Sequence, residues 1–201
     1  LTEGLSEKTA GPDPLRLFDE WFEQAKASGI ALPEAMTLAT ASADGAPSAR
    51  LVLLKSFDER GFVFFTNYNS RKSAELDANP RAALVCHWTV LQRQVRIEGT
   101  TERTSSDESD TYFHTRSRGS QIGAWASSQS ATLTSVDELQ QRVREHEKKF
   151  ADQPIRLPLF WGGFRIIPQR IVFWQGRTNR LHDRLCYERV NNDWLCRRLY
   201  P

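Results

Sequence analysis

Cysteine is scarce, with three residues in 201, Cys86, Cys186 and Cys196. They are too few and too scattered for a disulfide framework, and no CxxC pair or His-Cys grouping has zinc spacing, so no metal is expected. Such usage fits a reducing compartment, and the cytoplasm is the expected location. No apolar run is long enough to span a bilayer and no signal-peptide core is present, so no membrane partner is expected. The chain begins at Leu1 without a methionine, which leaves an upstream targeting segment open. Glycine-rich phosphate loops are missing as well: there is no Walker loop, no G-x-G-x-x-G and no G-x-S-x-G elbow. Any phosphate must therefore be held by side chains. An excess of one charge is also lacking. Twenty-seven Lys and Arg face 25 Asp and Glu, mixed along the chain, which argues against nucleic acid as a partner.

The apolar pattern that is present describes one domain. Residues 1–12 are polar with Gly and Pro and are expected to be mobile. Residues 13–201 then read as a single unit. Asp13-Pro14 opens a helix with Leu15, Phe18, Trp21, Phe22 and Ala25 at helical spacing, ending at Ser28-Gly29. Strands follow in "AMTLATAS", "SARLVLLKSF" and "GFVFFTN", the first two joined around Asp44-Gly45. "SRKSAELDANP" reads as a short helix, and "RAALVCHW" and "RQVRIEGTTER" as strands. The middle is helical, with capping boxes at Ser105/Glu108 and Ser135/Glu138. Four more strands close the chain, in "WGGFRIIP", "RIVFWQG", "RLCYERV" and "DWLCRRLYP". Strands on both sides of a helical middle predict a mainly β, barrel-like domain with peripheral helices.

Four stretches gather cations with hydroxyls or aromatics. Arg71 and Lys72 fall in the first turn of a helix, where the dipole disfavours cations by about 0.3–1 kcal/mol each unless an anion joins them. Solvated surface residues are the plainer reading. In "SARLVLLK", Arg50 and Lys55 end a buried-looking strand, one on each face, as an ion pair or an anion site would require. Tyr112, Arg116 and Ser120 recur at spacings of four, and a continuing helix would project them from one side, with Gln129-Ser130 beyond. In "RTNRLHDR", strand alternation would place Arg180, His182 and Arg184 on one face beside Trp174, and Leu181, Asp183 and Leu185 on the other. Three such groups in a row repel one another unless something electron-rich lies against them, although an edge strand kept soluble by charge gives the same pattern.

These segments, with "PSARLVLLK", "GFVFFTNYNSRK", "RQVRIEG", "YFHTRSRGSQIGAWAS", "FWQGRTNRLHDR" and "RRLYP", occur in an order that resembles the pyridoxine/pyridoxamine 5'-phosphate oxidase family from residue 13 onward. The resemblance implies an FMN-binding split β-barrel of Greek-key-like type, forming a homodimer with two FMN sites at the interface. It implies oxidation of pyridoxine or pyridoxamine 5'-phosphate to pyridoxal 5'-phosphate with O2 as acceptor. Residues carried over for FMN are Arg50, Leu51, Val52, Leu53, Phe65, Thr66, Arg71, Lys72, Gln94, Gln129, Ser130, Trp174 and Arg184. Those for the substrate are Lys55, Tyr112, Arg116, Ser120, Arg180, Leu181 and His182, with Arg180 and His182 at the reacting side. Arg177 lies outside the motif and is expected to be solvated. Phe65 stands where the family often has tyrosine, and Ser117 where proline is usual, a change expected to loosen the loop before Ser120. A non-catalytic flavin-binding protein of the same fold is the rival reading, since one fold hosts several functions. The substrate set discriminates, because a pure flavin binder does not need it.

Overall fold

The computed structural model describes residues 4–201. Helix α1 (Glu7–Ala10) and helix α2 (Pro14–Ala27) precede strands β1 (Ala35–Ala41), β2 (Pro47–Leu53), β3 (Ser56–Asp58) and β4 (Gly61–Asn67). Helix α3 (Arg71–Ala78), β5 (Arg81–Trp88) and β6 (Arg93–Arg103) follow. The helical middle is α4 (Ser106–Thr115), α5 (Arg118–Ala126) and α6 (Val136–Lys149), and β7 (Trp161–Gln175), β8 (Asp183–Val190) and β9 (Asp193–Arg198) complete the chain. No helix among the described residues is long and apolar enough to cross a membrane.

The strands form one antiparallel sheet in the order β2-β1-β5-β6-β7-β4-β3, with β8 and β9 branching from β7. The chain runs from β2 into β3 through Leu54 and Lys55, and the Lys55 amide donates to the Val63 carbonyl at 2.9 Å, which brings the two ends of that path together. The mainly β barrel with peripheral helices is therefore present. Its opening lies along β7. One edge of this 15-residue strand pairs with β6, while the other is shared by β4 over residues 161–166 and by β8 over residues 170–175. The predicted pair of strands at "WGGFRIIP" and "RIVFWQG" is thus a single strand. Pro168, which cannot donate to a ladder, is tolerated because the register shifts opposite it, between Glu98 and Gly99.

Gly99 is required by close approach: a Cβ there would lie 2.0 Å from the Ile167 carbonyl oxygen. Gly99→Ala is expected to cost about 1–3 kcal/mol, since backbone must move to admit the methyl group. Urea unfolding would measure it, and an unchanged midpoint would refute the steric argument.

Helix α2 begins as expected, with the Asp13 side chain accepting from the Leu15 amide and Pro14 in the first turn. It buries Leu17, Phe18, Trp21 and Ala25 on the barrel. Phe18 meets Phe57 and Phe62 edge-on, each at 4.9 Å between ring centres, and Trp21 meets Phe173 at 5.3 Å. Such pairs add about 0.5–1.5 kcal/mol each beyond area burial.

The N-terminal stretch differs from expectation. Residues 1–3 of the segment expected to be mobile lie outside the described residues. From Gly4 onward the chain is packed: Leu5 and Ala10 are buried, and Ser6 and Thr9 cap α1 reciprocally. Arg198 on β9 donates to both carboxylate oxygens of Glu7 and to the Leu5 carbonyl. Two apolar anchors and one arginine thus order a stretch whose polar composition hid them. Ser105/Glu108 forms the predicted capping box, whereas Ser135 caps α6 without the reciprocal bond.

Candidate functional site

A cavity of about 660 Å³ opens where the end of β2, β4, the first turn of α3, the α4–α5 junction and the start of β7 meet. It is lined by Lys55, Lys72 and Arg116 and by no acidic side chain. Among the described residues none of these three cations forms an ion pair, although most arginines elsewhere do.

Lys72 is buried, and its ammonium group donates only to neutral oxygens: Gln129 Oε1 at 2.9 Å, Thr66 Oγ1 at 3.2 Å and Ser70 Oγ at 3.3 Å. Burial, and then the charge of Arg50, push its pKa below the ordinary lysine value, with Glu75 opposing. A buried ammonium that makes no direct ion pair is costly, and an anion in the cavity would relieve that cost. At the α3 N-terminus the Arg71 amide donates to Ser130 Oγ at 3.1 Å, and the Ser73 and Ala74 amides donate to the Ser70 carbonyl at 3.0 and 3.1 Å. Ser70 sits at the cap position but makes no capping bond; its hydroxyl faces Ser73 and Lys72 instead.

Glu75, which the sequence reading passed over, organises the neighbouring arginines. Its carboxylate is buried and accepts from Arg71 Nε at 2.8 Å, Arg50 Nη2 at 3.0 Å, Ser48 Oγ at 2.7 Å and the Thr40 hydroxyl. Burial alone would raise its pKa, but hydrogen bonds from Thr40, Ser48, Arg71 and Arg50 outweigh it and hold the group at about 2. Arg50 is therefore committed to Glu75 and does not line the cavity. The signal that could have found Glu75 is its spacing of four from Arg71.

The second cation group sits on aromatic rings. Phe65 stacks on Tyr112 at 4.1 Å and on Trp161 at 5.5 Å, with interplanar angles of 14° and 8°. The Arg116 guanidinium lies 4.8 Å over the Trp161 ring, and its Nη1 is buried without a hydrogen-bond partner. Burial lowers the Arg116 pKa, and no carboxylate compensates. Lys55 Nζ lies 6.0 Å from the Tyr112 ring centre. The helix does not continue through this stretch. It ends at Arg116 (ψ 150°) and restarts after Ser117, so Tyr112, Arg116 and Ser120 come from α4, a break and α5 rather than from one helical face. The break still delivers all three to the cavity. Ser117 does not loosen the loop: its hydroxyl caps α5 by accepting from the Ser120 amide.

Of the expected site residues, Leu51, Val52, Leu53, Lys55, Phe65, Thr66, Lys72, Tyr112, Arg116, Ser120 and Gln129 share this cavity. Arg71 and Ser130 line an adjoining cavity of about 600 Å³, to which Gln129 also contributes. Gln94, Trp174, Arg180, Leu181, His182 and Arg184 lie elsewhere. Trp174 pairs with Gln94 on one side and Arg184 on the other, and its ring sits 4.7 Å from that of His182. Trp174 is 13 residues from Trp161 along β7, roughly 43 Å of strand at 3.3 Å per residue.

The alternation expected across "RLHDR" does not hold. Thr178–Arg180 form a single helical turn, Asn179 and Arg180 have φ of 57° and 60°, and β8 begins only at Asp183. Arg180 and His182 therefore belong to a turn, not to a strand face. Arg177 is not merely solvated. Its Nε lies 3.5 Å from Asp183 Oδ2, and its amide donates to His182 Nδ1 at 3.0 Å.

Residues 22–150 match the family model described as pyridoxamine 5'-phosphate oxidase, and residues 161–201 match that of the pyridoxine 5'-phosphate oxidase C-terminal dimerisation region. The chain is 59% identical over 198 residues to the pyridoxine/pyridoxamine 5'-phosphate oxidase of Rubrobacter xylanophilus, covering 98% of this chain and 91% of that one. The protein of the same name from Trichormus variabilis is 55% identical over 200 residues, covering 99% and 94%. Among solved structures, PhzG from Burkholderia lata in complex with tetrahydrophenazine-1-carboxylic acid superimposes with a TM-score of 0.94 at 30% identity, covering 100% of this chain and 99% of that one. A pyridoxamine 5'-phosphate oxidase-related, FMN binding protein from Nostoc punctiforme shares the fold, with a TM-score of 0.75 at 16% identity over 95% of this chain and all of that one.

Proposed function

Because the chain belongs to the pyridoxamine 5'-phosphate oxidase family, we propose that it is an FMN-dependent oxidase converting pyridoxine 5'-phosphate and pyridoxamine 5'-phosphate to pyridoxal 5'-phosphate. The observation that carries this reading is the cavity with three cations and no acidic side chain, where buried Lys72 has only neutral hydrogen-bond partners and the Nη1 atom of Arg116 is buried with none. Such a site is complete only with anions in it, and it offers two separate groupings for them. Lys72, with Thr66, Gln129 and the adjoining Arg71 and Ser130, suits the FMN phosphate. Lys55, Tyr112, Arg116 and Ser120 suit the substrate phosphate, because a guanidinium and a hydroxyl supply charge-assisted donors to its oxygens.

The residues of one chain do not suffice. Trp174, Arg180, His182 and Arg184 stand at the far end of β7 from the cavity, so the proposed active unit is a homodimer in which a second copy brings its own set to the first copy's cavity. The match of residues 161–201 to a dimerisation region and the exposure of Leu51 support this arrangement. FMN held by Lys72, Thr66, Gln129, Arg71 and Ser130 would supply the two-electron acceptor for the hydride equivalent leaving substrate C4', with O2 and a proton yielding H2O2 on its reoxidation. The protein's part is positioning and electrostatics. Arg116, Lys55, Ser120 and Tyr112 fix the substrate by its phosphate, and the second copy's Arg180 and His182 hold the ring, which aligns C4' for transfer. Water supplies the aldehyde oxygen when the amine is the substrate, and ammonia leaves.

Purified protein incubated with FMN is expected to turn yellow, and its flavin absorbance to bleach when pyridoxine 5'-phosphate is added without oxygen. A protein that takes up no FMN would refute the reading. One that binds FMN but never bleaches would favour a flavin-binding protein without this activity.

A further inference from the structure

The turn before β8 contains a contact that decides the chemistry of His182. The Arg177 amide N–H points at His182 Nδ1 at 3.0 Å, so that nitrogen is the acceptor. In a neutral imidazole one nitrogen accepts and the other carries the proton. The Arg177 amide therefore leaves the proton on Nε2.

The surrounding structure holds this geometry. Two successive left-handed residues, Asn179 and Arg180, wind the chain back so that residue 177 faces residue 182. The Leu181 amide closes the turn onto the Thr178 carbonyl at 3.2 Å. Asp183, next to His182, is held from several sides: Arg198 Nη1 donates to its Oδ1 at 3.0 Å, the Leu5 amide donates to its Oδ2 at 3.2 Å, and Arg177 Nε lies 3.5 Å from the same oxygen. The Trp174 ring, 4.7 Å away and tilted by 47°, fixes the imidazole from one side.

We propose that Arg177 is a positioning residue whose backbone amide locks His182 as the Nε2–H tautomer, making His182 a hydrogen-bond donor to an electron-rich atom of the substrate and not the acceptor of the substrate's proton. This rests on the reading of His182 as a substrate contact. As a donor, Nε2–H grips an electron-rich atom of the substrate and so orients it while C4' gives up its hydride with the electron pair. The proton lost from the substrate's hydroxyl or amine then passes to water rather than to His182.

The test is a long-range proton–nitrogen correlation spectrum of the FMN-loaded protein with labelled histidine rings. Only four histidines are present, and His182→Asn identifies the signals of residue 182. The Nε2–H pattern is expected; an Nδ1–H pattern, or an even mixture of tautomers, would overturn the proposal. Arg177→Pro removes the amide proton and should abolish the preference. Residue 177 has φ −137°, which proline does not adopt, so the wild-type spectrum decides if that variant does not fold. Kinetics give the second readout. His182→Gln can place an amide donor near the Nε2 position and should keep kcat/KM about 10-fold above His182→Asn, the effect of one hydrogen bond. Equal losses in both variants would overturn the donor role. A loaded protein that does not oxidise pyridoxine 5'-phosphate at all would refute the functional reading, and the spectrum would still decide the tautomer.

Discussion

Replacing Arg116 with alanine is expected to lower kcat/KM for pyridoxine 5'-phosphate about 100-fold, mainly through KM, while FMN still binds. The magnitude follows from what Arg116 lacks. Its Nη1 is buried with no hydrogen-bond partner, and no carboxylate neutralises it. A charge-assisted hydrogen bond contributes about 1.5–3 kcal/mol, and about 2.7 kcal/mol is a factor of 100. The substrate phosphate would supply the missing acceptor, so its loss falls on binding. The grouping proposed for FMN, Lys72 and Gln129 with Arg71 and Ser130 at the α3 N-terminus, is joined by its own hydrogen bonds and not through Arg116. Arg116→Lys separates charge from shape. It keeps the charge but not the planar group that lies over Trp161, and it should fall between wild type and alanine. Steady-state kinetics beside a flavin fluorescence titration measure both quantities. An unchanged KM would remove Arg116 from the substrate site.

Glu75→Ala is expected to be the most destabilising single change near the site, by about 3–5 kcal/mol, as for a buried ion pair that loses one partner. For a domain of this length that corresponds to a fall in Tm of roughly 6–20 °C. Arg50 would be left half-buried beside Lys72, with only Thr40, Ser48 and the Leu38 carbonyl near it. Thermal unfolding reads the stability. The same carboxylate sets an acid limit. Its folded pKa of about 2 lies below the ordinary 4.5, so its contribution is complete above pH 4.5 and declines as pH falls towards 2. The stability gap between wild type and Glu75→Ala should therefore narrow over that window. A gap that stayed constant would mean that the variant loses packing rather than charge.

Local signals in the sequence were reliable where a residue type has one geometric use. Asp44-Gly45 forms the β1–β2 turn, with Gly45 at φ 88°, and Asn191-Asn192 joins β8 to β9, with Asn191 at φ 56°. Asp13 and Ser105 cap the helices they precede. "RQVRIEGTTER" forms β6, whose alternation buries Val95 and Ile97. The failures came where non-glycine residues adopt special backbone. Nothing in the letters Asn179 and Arg180 announces two left-handed residues, so a turn read as a strand. Ser117 resembles any helical serine until the chain is seen to break beside it. Glu75 resembles a solvated helix residue because its partners, Thr40, Ser48 and Arg50, arrive from two other strands. The FMN and substrate sets followed from the family resemblance. That they divide between the two ends of β7 did not, because motif order along a chain says nothing of distance through space.

That division makes β7 a ruler. The cavity is at one end of the strand and the Trp174 group is at the other, with β6 paired along the strand between them but for one register shift opposite Pro168. Inserting one residue would move the far end by about 3.3 Å and turn every subsequent side chain to the opposite face. Length is thus under stricter control here than composition. Substitutions along β7 change one contact at a time, whereas a single insertion or deletion would misalign the two sets proposed to hold ligands while each remains intact.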